Sequence, residues 1–265
     1  MMHVYKSNVL KKLRNGEIVI SGKLNLNDPR AVEIAGMCGY DCIWLDLEHV
    51  PNDWQTIEGQ IRAAKLHGMD TVVRVSKGCY SDLVRPLEAD ATGIMIPHLM
   101  DLSEAQSIVR QTRFQPVGRR PLDGGNIDGA FCMVDLKTYL SESNEQKFVI
   151  VQIEDPEPLN ELDEICQVAG IDIVLFGPGD FSHSIGAPGE FDHPAIVDAR
   201  KRVAATAVKY GKFAGTVGTL GNLRELVEMG YQFINIGADV IGLADYFKNI
   251  TTSAEKIIRG ITTIK

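Results

Sequence analysis

Eight short apolar runs, rich in β-branched residues, alternate along the chain with segments of helical pattern. Such runs are typical of buried parallel strands, and their alternation with helices predicts an α/β fold. A count of eight, with short turns and no linker, predicts a single-domain (β/α)₈ TIM barrel over residues 1–265. A doubly wound open sheet is the alternative, although no G-x-G-x-x-G follows the first strand. The predicted strands cover residues 18–24, 42–45, 71–73, 93–97, 149–153, 171–176, 212–217 and 233–237.

The composition fits a globular domain and argues against several classes of function. The 265 residues carry 27 basic and 35 acidic side chains, and the resulting net charge of −8 disfavours a nucleic-acid-binding surface. No apolar run reaches the roughly 18–20 residues that cross a bilayer, so we expect no membrane partner. Five cysteines are scattered without CxxC spacing, which indicates free thiols and a cytoplasmic protein.

Polar residues collect where the predicted strands end. Glu154 follows strand five and Asp180 follows strand six. In parallel α/β proteins the chemistry lies at the carboxyl ends of the strands, and two carboxylates held there suit Mg²⁺ or Mn²⁺. We therefore predict a divalent-metal site at Glu154 and Asp180. The other polar residues at strand ends are Asp46, Glu48, His49, Arg74 and Gln152.

Each of these residues taken alone could simply cap the helix that follows its strand. Their occurrence on several strands of one barrel favours a catalytic site, because catalytic residues of such barrels come from several strand ends.

These motifs also resemble those of a known family. The chain is similar to the metal-dependent pyruvate aldolases of the HpcH/HpaI aldolase/citrate lyase family, with motif order and spacing preserved over about residues 18 to 237. The matching motifs are Asp46-x-Glu48-His49, Val73-Arg74, Gln152-Ile153-Glu154 and Gly177-Pro178-x-Asp180-x-Ser182. The resemblance implies a class II aldolase of the 4-hydroxy-2-oxoheptanedioate or 2-keto-3-deoxy sugar-acid type. Such an enzyme reversibly cleaves a 4-hydroxy-2-oxo acid to pyruvate, or a similar 2-keto acid, and an aldehyde through a metal-stabilised enolate.

The resemblance implies how the 2-keto acid is bound. Glu154 and Asp180 would hold Mg²⁺, Mn²⁺ or Co²⁺, and Gln152 would orient the acid chelated by that metal. Arg74 would add positive charge beside the keto or enolate oxygen. Backbone N–H groups around Gly179 and Asp180, at a predicted helix start, would receive the substrate carboxylate.

The same resemblance implies how protons move. His49 would act as general acid/base, because imidazole titrates near neutral pH. Glu88 falls where relatives carry a carboxylate, usually Asp, that pairs with this histidine. Asp46 would help to hold metal-bound waters or His49.

Residues 118–129 form a long, turn-rich segment that carries Arg119 and Arg120. Loops of this length are usually functional or disordered. Two interpretations stay open. The segment is either a lid, in which Arg120 contacts the anionic part of the second substrate, or an ordered subunit-contact loop.

Two further histidines are weaker candidates for the site. His98 follows the fourth strand, where the pattern favours a helix-capping role over a place in the site. His183 lies just after Asp180 and is as well explained by capping as by contact with metal-bound waters.

Three other functions remain alternatives. A Schiff-base aldolase would need a desolvated lysine at a strand end, and Lys23 is the only plausible one. A CoA-thioester lyase of the citrate lyase β-like type would keep the metal site, and a non-catalytic keto-acid-binding barrel would not need a base. The family resemblance also implies a homo-oligomer, a hexamer with exchanged C-terminal helices, and residues 241–247 are apolar enough to dock on a neighbour.

Overall fold

The computed structural model describes residues 2–262. The strands are β1 (Val19–Lys23), β2 (Cys42–Asp46), β3 (Asp70–Arg74), β4 (Gly93–Ile96), β5 (Phe148–Ile153), β6 (Ile173–Phe176), β7 (Phe213–Gly218) and β8 (Tyr231–Ala238). All pairings are parallel, and the strands follow one another in sequence order until β8 pairs with β1. This closed barrel confirms the predicted (β/α)₈ fold and excludes the open sheet.

Helices separate consecutive strands; one further helix precedes β1, and the β4–β5 and β6–β7 connections carry two helices each. In the described part of the chain they are α1 (Asn8–Arg14), α2 (Pro29–Met37), α3 (Trp54–Leu66), α4 (Tyr80–Glu88), α5 (Leu102–Thr112), α6 (Leu136–Gln146), α7 (Leu162–Gln167), α8 (Pro178–Ser184), α9 (Pro194–Lys209), α10 (Leu223–Glu228) and α11 (Asp239–Thr262). Asp28, Asp53 and Asp101 accept backbone N–H groups at the starts of α2, α3 and α5.

None of the described helices has the length and apolar character needed to span a bilayer. All five cysteines are free thiols.

Helix α1 closes the end of the barrel at which the strands begin. Its apolar residues Val9, Leu10 and Leu13 are buried together with interior side chains of the barrel such as Phe148 and Phe233. Hydrogen bonds tie this plug to the start of β3, because the Ser7 hydroxyl and the Val9 N–H both donate to Asp70 Oδ2, at 2.6 and 2.9 Å. The opposite end, where the strands finish, is therefore the end that can receive a ligand.

We expect the plug to contribute to stability. Leu10 is 1% exposed, so Leu10→Ala should lower the free energy of unfolding by about 2–5 kcal/mol through lost burial and a residual cavity. Lys11→Ala, on the exposed side of the same helix, is the control and should change it by less than about 0.5 kcal/mol. Urea unfolding followed by circular dichroism measures both; equal effects would contradict the assignment of α1 as a plug.

Candidate active site

The carboxylate of Glu154 lies just beyond the end of β5 and is only 3% exposed. Both of its oxygens accept a hydrogen bond. The Gln152 amide Nε2 donates to Oε1 at 2.8 Å, and the backbone N–H of His98 donates to Oε2 at 3.1 Å. The pKa of Glu154 is nevertheless raised to about 7, mainly by burial and also by the nearby charge of Asp180, against the opposing effects of His98 and Arg74.

A divalent cation fits between these groups. Asp180, in the first turn of α8, is partly exposed and faces Glu154 from the neighbouring strand end. Ligand atoms of His98, Glu154 and Asp180 all lie within 4.8 Å of one another. A cation here would offset the two effects that oppose ionisation of Glu154, namely lost hydration and repulsion by Asp180.

Gly177 leaves room for the Glu154 side chain. A Cβ atom at position 177 would lie 2.5 Å from Glu154 Oε1 and 2.6 Å from its Cγ, which is closer than atoms can approach. At Gly179, two residues on, a Cβ would meet nothing within 4 Å. The first glycine is thus required by the carboxylate, whereas the second borders open space.

Arg74 is held rigidly at the end of β3. Its guanidinium donates from Nε to Asp46 Oδ1 at 3.0 Å and from Nη2 to Asp46 Oδ2 at 2.6 Å, while Nη1 lies 2.9 Å from Glu48 Oε2. The pairing follows from register, since Asp46 and Arg74 are partners on β2 and β3. Burial alone would raise the pKa of Asp46, but its contacts with Arg74 and Lys23 lower it to about 2.

Asp46 therefore orients Arg74, and the structure shows no contact from it to His49. Lys23, at the end of β1, lies 3.0 Å from the same carboxylate and 5.5 Å from the centroid of the Trp44 ring. An ion-paired ammonium is a poor nucleophile, so this contact argues against Lys23 as a Schiff-base residue.

His49 lies exposed just after β2, with Nε2 3.5 Å from Glu48 Oε2. Glu48 thus lies between Arg74 and His49, a position that sequence reasoning recognised as a strand end without assigning it a role. The imidazole stays open to solvent or to a ligand.

Two predicted site residues lie at the other end of the barrel. Glu88 is the last residue of α4, which runs antiparallel to the strands. The charges of Arg120 and Asp128 act on its carboxylate. Within one subunit Glu88 therefore lies away from His49, and the pairing of the two residues stays a prediction. The position of Glu88 in the sequence could have indicated this placement, because a residue just before a strand lies at the end of the barrel where the strands begin.

Arg120 is not an anion contact. It is 5% exposed, donates from Nη2 to Asp128 Oδ2 at 2.8 Å and lies 4.7 Å from the centroid of the Phe114 ring. The Tyr139 hydroxyl donates to the same Asp128 oxygen at 2.7 Å. The lid interpretation of this arginine is wrong, because its charge is satisfied inside the protein.

His98 joins the site, contrary to its predicted capping role. Its Nδ1 lies 2.8 Å from Asp155 Oδ2, and its Nε2 lies 4.0 Å from Glu154 Oε2. The position of His98 just after the carboxyl end of β4 was the sequence feature that could have indicated a place in the site. His183 is exposed on α8, and no contact places it in the site.

The fold and the site together define a (β/α)₈ barrel whose strand ends assemble a candidate divalent-metal site beside a clamped arginine. Residues 24–245 match the sequence model of the HpcH/HpaI aldolase/citrate lyase family, and the chain belongs to this family.

Three relatives illustrate the match. The hydroxypyruvate/pyruvate aldolase of Pseudomonas aeruginosa is 33% identical over 86% of this chain and 85% of its own. The 2-keto-3-deoxy-L-rhamnonate aldolase of Escherichia coli K12 is 30% identical over 92% of each chain. The crystal structure of an HpcH/HpaI aldolase from Desulfitobacterium hafniense DCB-2 superposes with a TM-score of 0.88 at 28% identity, over 93% of this chain and 96% of that one.

We expect Gly177→Ala to weaken divalent-metal binding at least tenfold, because the new methyl group displaces the Glu154 carboxylate from its place. The matched control is Gly179→Ala, where the methyl group enters open space and the dissociation constant should change less than about threefold. Isothermal titration with Mn²⁺ measures both variants. Similar dissociation constants for Gly177→Ala and the unsubstituted protein would contradict the role given to Gly177.

Proposed function

We propose that the protein is a divalent-metal-dependent aldolase that reversibly cleaves a 4-hydroxy-2-oxo acid to pyruvate, or a similar 2-keto acid, and an aldehyde. The observation that carries the proposal is the buried Glu154 carboxylate facing Asp180 across adjacent strand ends. Hydroxypyruvate, pyruvate and 2-keto-3-deoxy-L-rhamnonate occur in the names of the relatives, and all are 2-keto acids. This shared chemistry supports the substrate class.

Glu154 and Asp180 would hold the metal, with Mg²⁺, Mn²⁺ and Co²⁺ as candidates. When bound, the metal supplies a Lewis acid for the keto and carboxylate oxygens of the substrate and stabilises the enolate. Gln152 already donates one N–H to Glu154, and its second N–H is suited to orienting the substrate carboxylate. Backbone N–H groups near Gly179 and Asp180 stay the predicted second contact for that carboxylate.

Arg74 would stabilise negative charge on the keto oxygen as the carbon–carbon bond breaks. Its contacts with Asp46 and Glu48 fix the plane of the guanidinium and leave further N–H groups for a ligand. A donor fixed before the reaction needs no reorganisation when charge develops, which is the condition for electrostatic catalysis.

His49 would take the proton of the 4-hydroxyl group on cleavage and return it on condensation. Its exposed ring beside Glu48 is accessible to a ligand. A carboxylate partner for His49 from Glu88 would require a second copy of the chain, because the two residues lie at opposite ends of one barrel.

The alternatives have less support. A Schiff-base mechanism would need Lys23 to leave its ion pair with Asp46. A CoA-thioester lyase would use the same metal and arginine on a different substrate. A keto-acid-binding barrel without catalysis would have no use for a histidine placed to exchange protons. A cytoplasmic location stays a prediction from the scattered thiols.

Exchange of the methyl protons of pyruvate with D₂O, followed by NMR, tests the proposal. We expect exchange with Mn²⁺ or Mg²⁺, its loss with EDTA, and a decrease of at least 100-fold in Glu154→Gln, which removes a charged ligand but keeps the volume. Arg74→Lys should slow exchange less than Glu154→Gln, because positive charge is retained without the bidentate geometry.

Controls separate the alternatives. Exchange that survives EDTA and disappears in Lys23→Met would establish the Schiff-base mechanism instead. Exchange of the acetyl-CoA methyl protons but not those of pyruvate would indicate the thioester lyase. Binding of pyruvate with no exchange under any condition would leave a binding protein and overturn the proposal.

We further propose a homo-oligomer, with a hexamer as the family-based expectation, in which α11 packs on a neighbouring subunit. Leu243, Phe247, Ile250, Ile257 and Ile261 are spaced for one face of this helix, and all are more than a third exposed. A groove of about 870 Å³ lined by residues such as Leu24, Ile34 and Tyr40 lies between α2 and the start of α11. An exposed apolar stripe and groove of this size are typical of an interface.

We expect Phe247→Glu together with Ile250→Glu to lower the oligomeric state, since two charges on the apolar face oppose burial against a neighbour. Lys248→Glu, a single charge change outside this stripe, is the control and should leave the assembly intact. Light scattering coupled to size-exclusion chromatography gives the mass of each species. An unchanged mass in the double variant would contradict the role of α11.

A further inference from the structure

His98 is placed to add a nitrogen ligand to the site formed by Glu154 and Asp180. The residue lies between β4 and α5, and its imidazole is anchored on one side only. Nδ1 lies 2.8 Å from Asp155 Oδ2, and the other oxygen of Asp155 accepts a hydrogen bond from the Ser184 hydroxyl at 2.9 Å. The Asp155 carboxylate therefore fixes the imidazole of His98, and Ser184 in turn fixes that carboxylate.

This anchoring determines which ring nitrogen is available. An ionised carboxylate can only accept hydrogen bonds, so Nδ1 must carry the hydrogen and the neutral ring presents the lone pair of Nε2. Nε2 lies 4.0 Å from Glu154 Oε2. When the ring is neutral, two electron-pair donors that face each other across such a gap can share a cation.

The distances suit a shared metal ion. Metal bonds of about 2.0–2.2 Å place two ligand atoms roughly 3 to 4.4 Å apart, depending on the angle at the metal. The separation of 4.0 Å between Nε2 and Oε2 lies within this span, and the wider limit of 4.8 Å over the three residues calls for a small closure on binding.

The backbone conformation of His98 also directs this residue toward Glu154. Its φ angle of +46° is in the left-handed region that few residues other than glycine adopt. In this conformation the backbone N–H donates to Glu154 Oε2, while the side chain also points to Glu154. Local strain at a site is maintained when the surrounding contacts over-determine it.

We propose that His98 is a third protein ligand of the metal, fixed by Asp155, and that it shifts the preference of the site toward Co²⁺ and Mn²⁺ over Mg²⁺. Imidazole nitrogen binds Co²⁺ far better than Mg²⁺, which prefers oxygen ligands throughout. A carboxylate that accepts from the distal nitrogen raises the basicity of the ring and fixes its orientation. The inference rests on the metal site of the proposed function but not on aldolase chemistry.

The test uses His98→Asn, because asparagine tolerates the left-handed conformation and removes only the imidazole. We expect the Co²⁺ dissociation constant from titration calorimetry to rise roughly tenfold or more. The Mg²⁺ dissociation constant should change by about threefold or less. Asp155→Asn should give a Co²⁺ affinity between those of His98→Asn and the unsubstituted protein.

Pulsed EPR of the Mn²⁺-loaded protein gives a readout that is independent of affinity. Nuclear modulation from a coordinated ¹⁴N should be present in the unsubstituted protein and in His49→Asn, and absent in His98→Asn. Equal Co²⁺ affinity in His98→Asn, or ¹⁴N modulation that persists in it, would overturn the proposal. Metal binding that survives Glu154→Gln would instead overturn the metal site itself, so the two failures are distinguishable.

Discussion

The burial of one carboxylate, that of Glu154, is the constraint on which the rest of the site depends. A carboxylate removed from water is stable in its charged form only when donors or a cation replace its hydration. Gln152 and the backbone of His98 each supply one hydrogen bond, and Gly177 leaves the space that the side chain occupies. These contacts compensate only partly, because the pKa stays raised. The cation of the proposed function would offset the remaining deficit of positive charge.

Buried charges are stabilised in different ways at the two ends of the barrel. Where the strands begin, opposite charges neutralise one another: Arg120 pairs with Asp128, and Lys147 contacts Asp90. These pairs lie within the protein, so this end contributes rigidity. Where the strands end, the negative charge of Glu154 is not neutralised by an opposite charge in the same way. That end of the barrel is therefore the one that can bind a ligand.

Sequence patterns predict the parts of this structure that depend on local physics. Strand β5 lies within one residue of its predicted range, 149–153, because a continuous apolar run rich in β-branched residues specifies it. Helix α1 escaped prediction because seven residues are too few for a clear period, and its stability comes from plugging the barrel. Arg120 was misplaced because motif matching ignored which end of the barrel its position faces, and for the same reason the motifs did not show that Glu88 lies away from His49 within one subunit. His98 was undervalued for the opposite reason, since its position after β4 indicated the site and only the fold showed its partner Asp155.

The left-handed backbone at His98 also limits what evolution can place there. Most side chains would cost about 1–2 kcal/mol in this conformation, whereas asparagine and aspartate are tolerated. In the genetic code a histidine codon becomes an asparagine or aspartate codon by a single change at its first base. The substitutions that the backbone tolerates best at this position therefore remove the proposed nitrogen ligand without disturbing the loop. On the proposed role of His98, one nucleotide change is thus enough to alter the metal preference of the site.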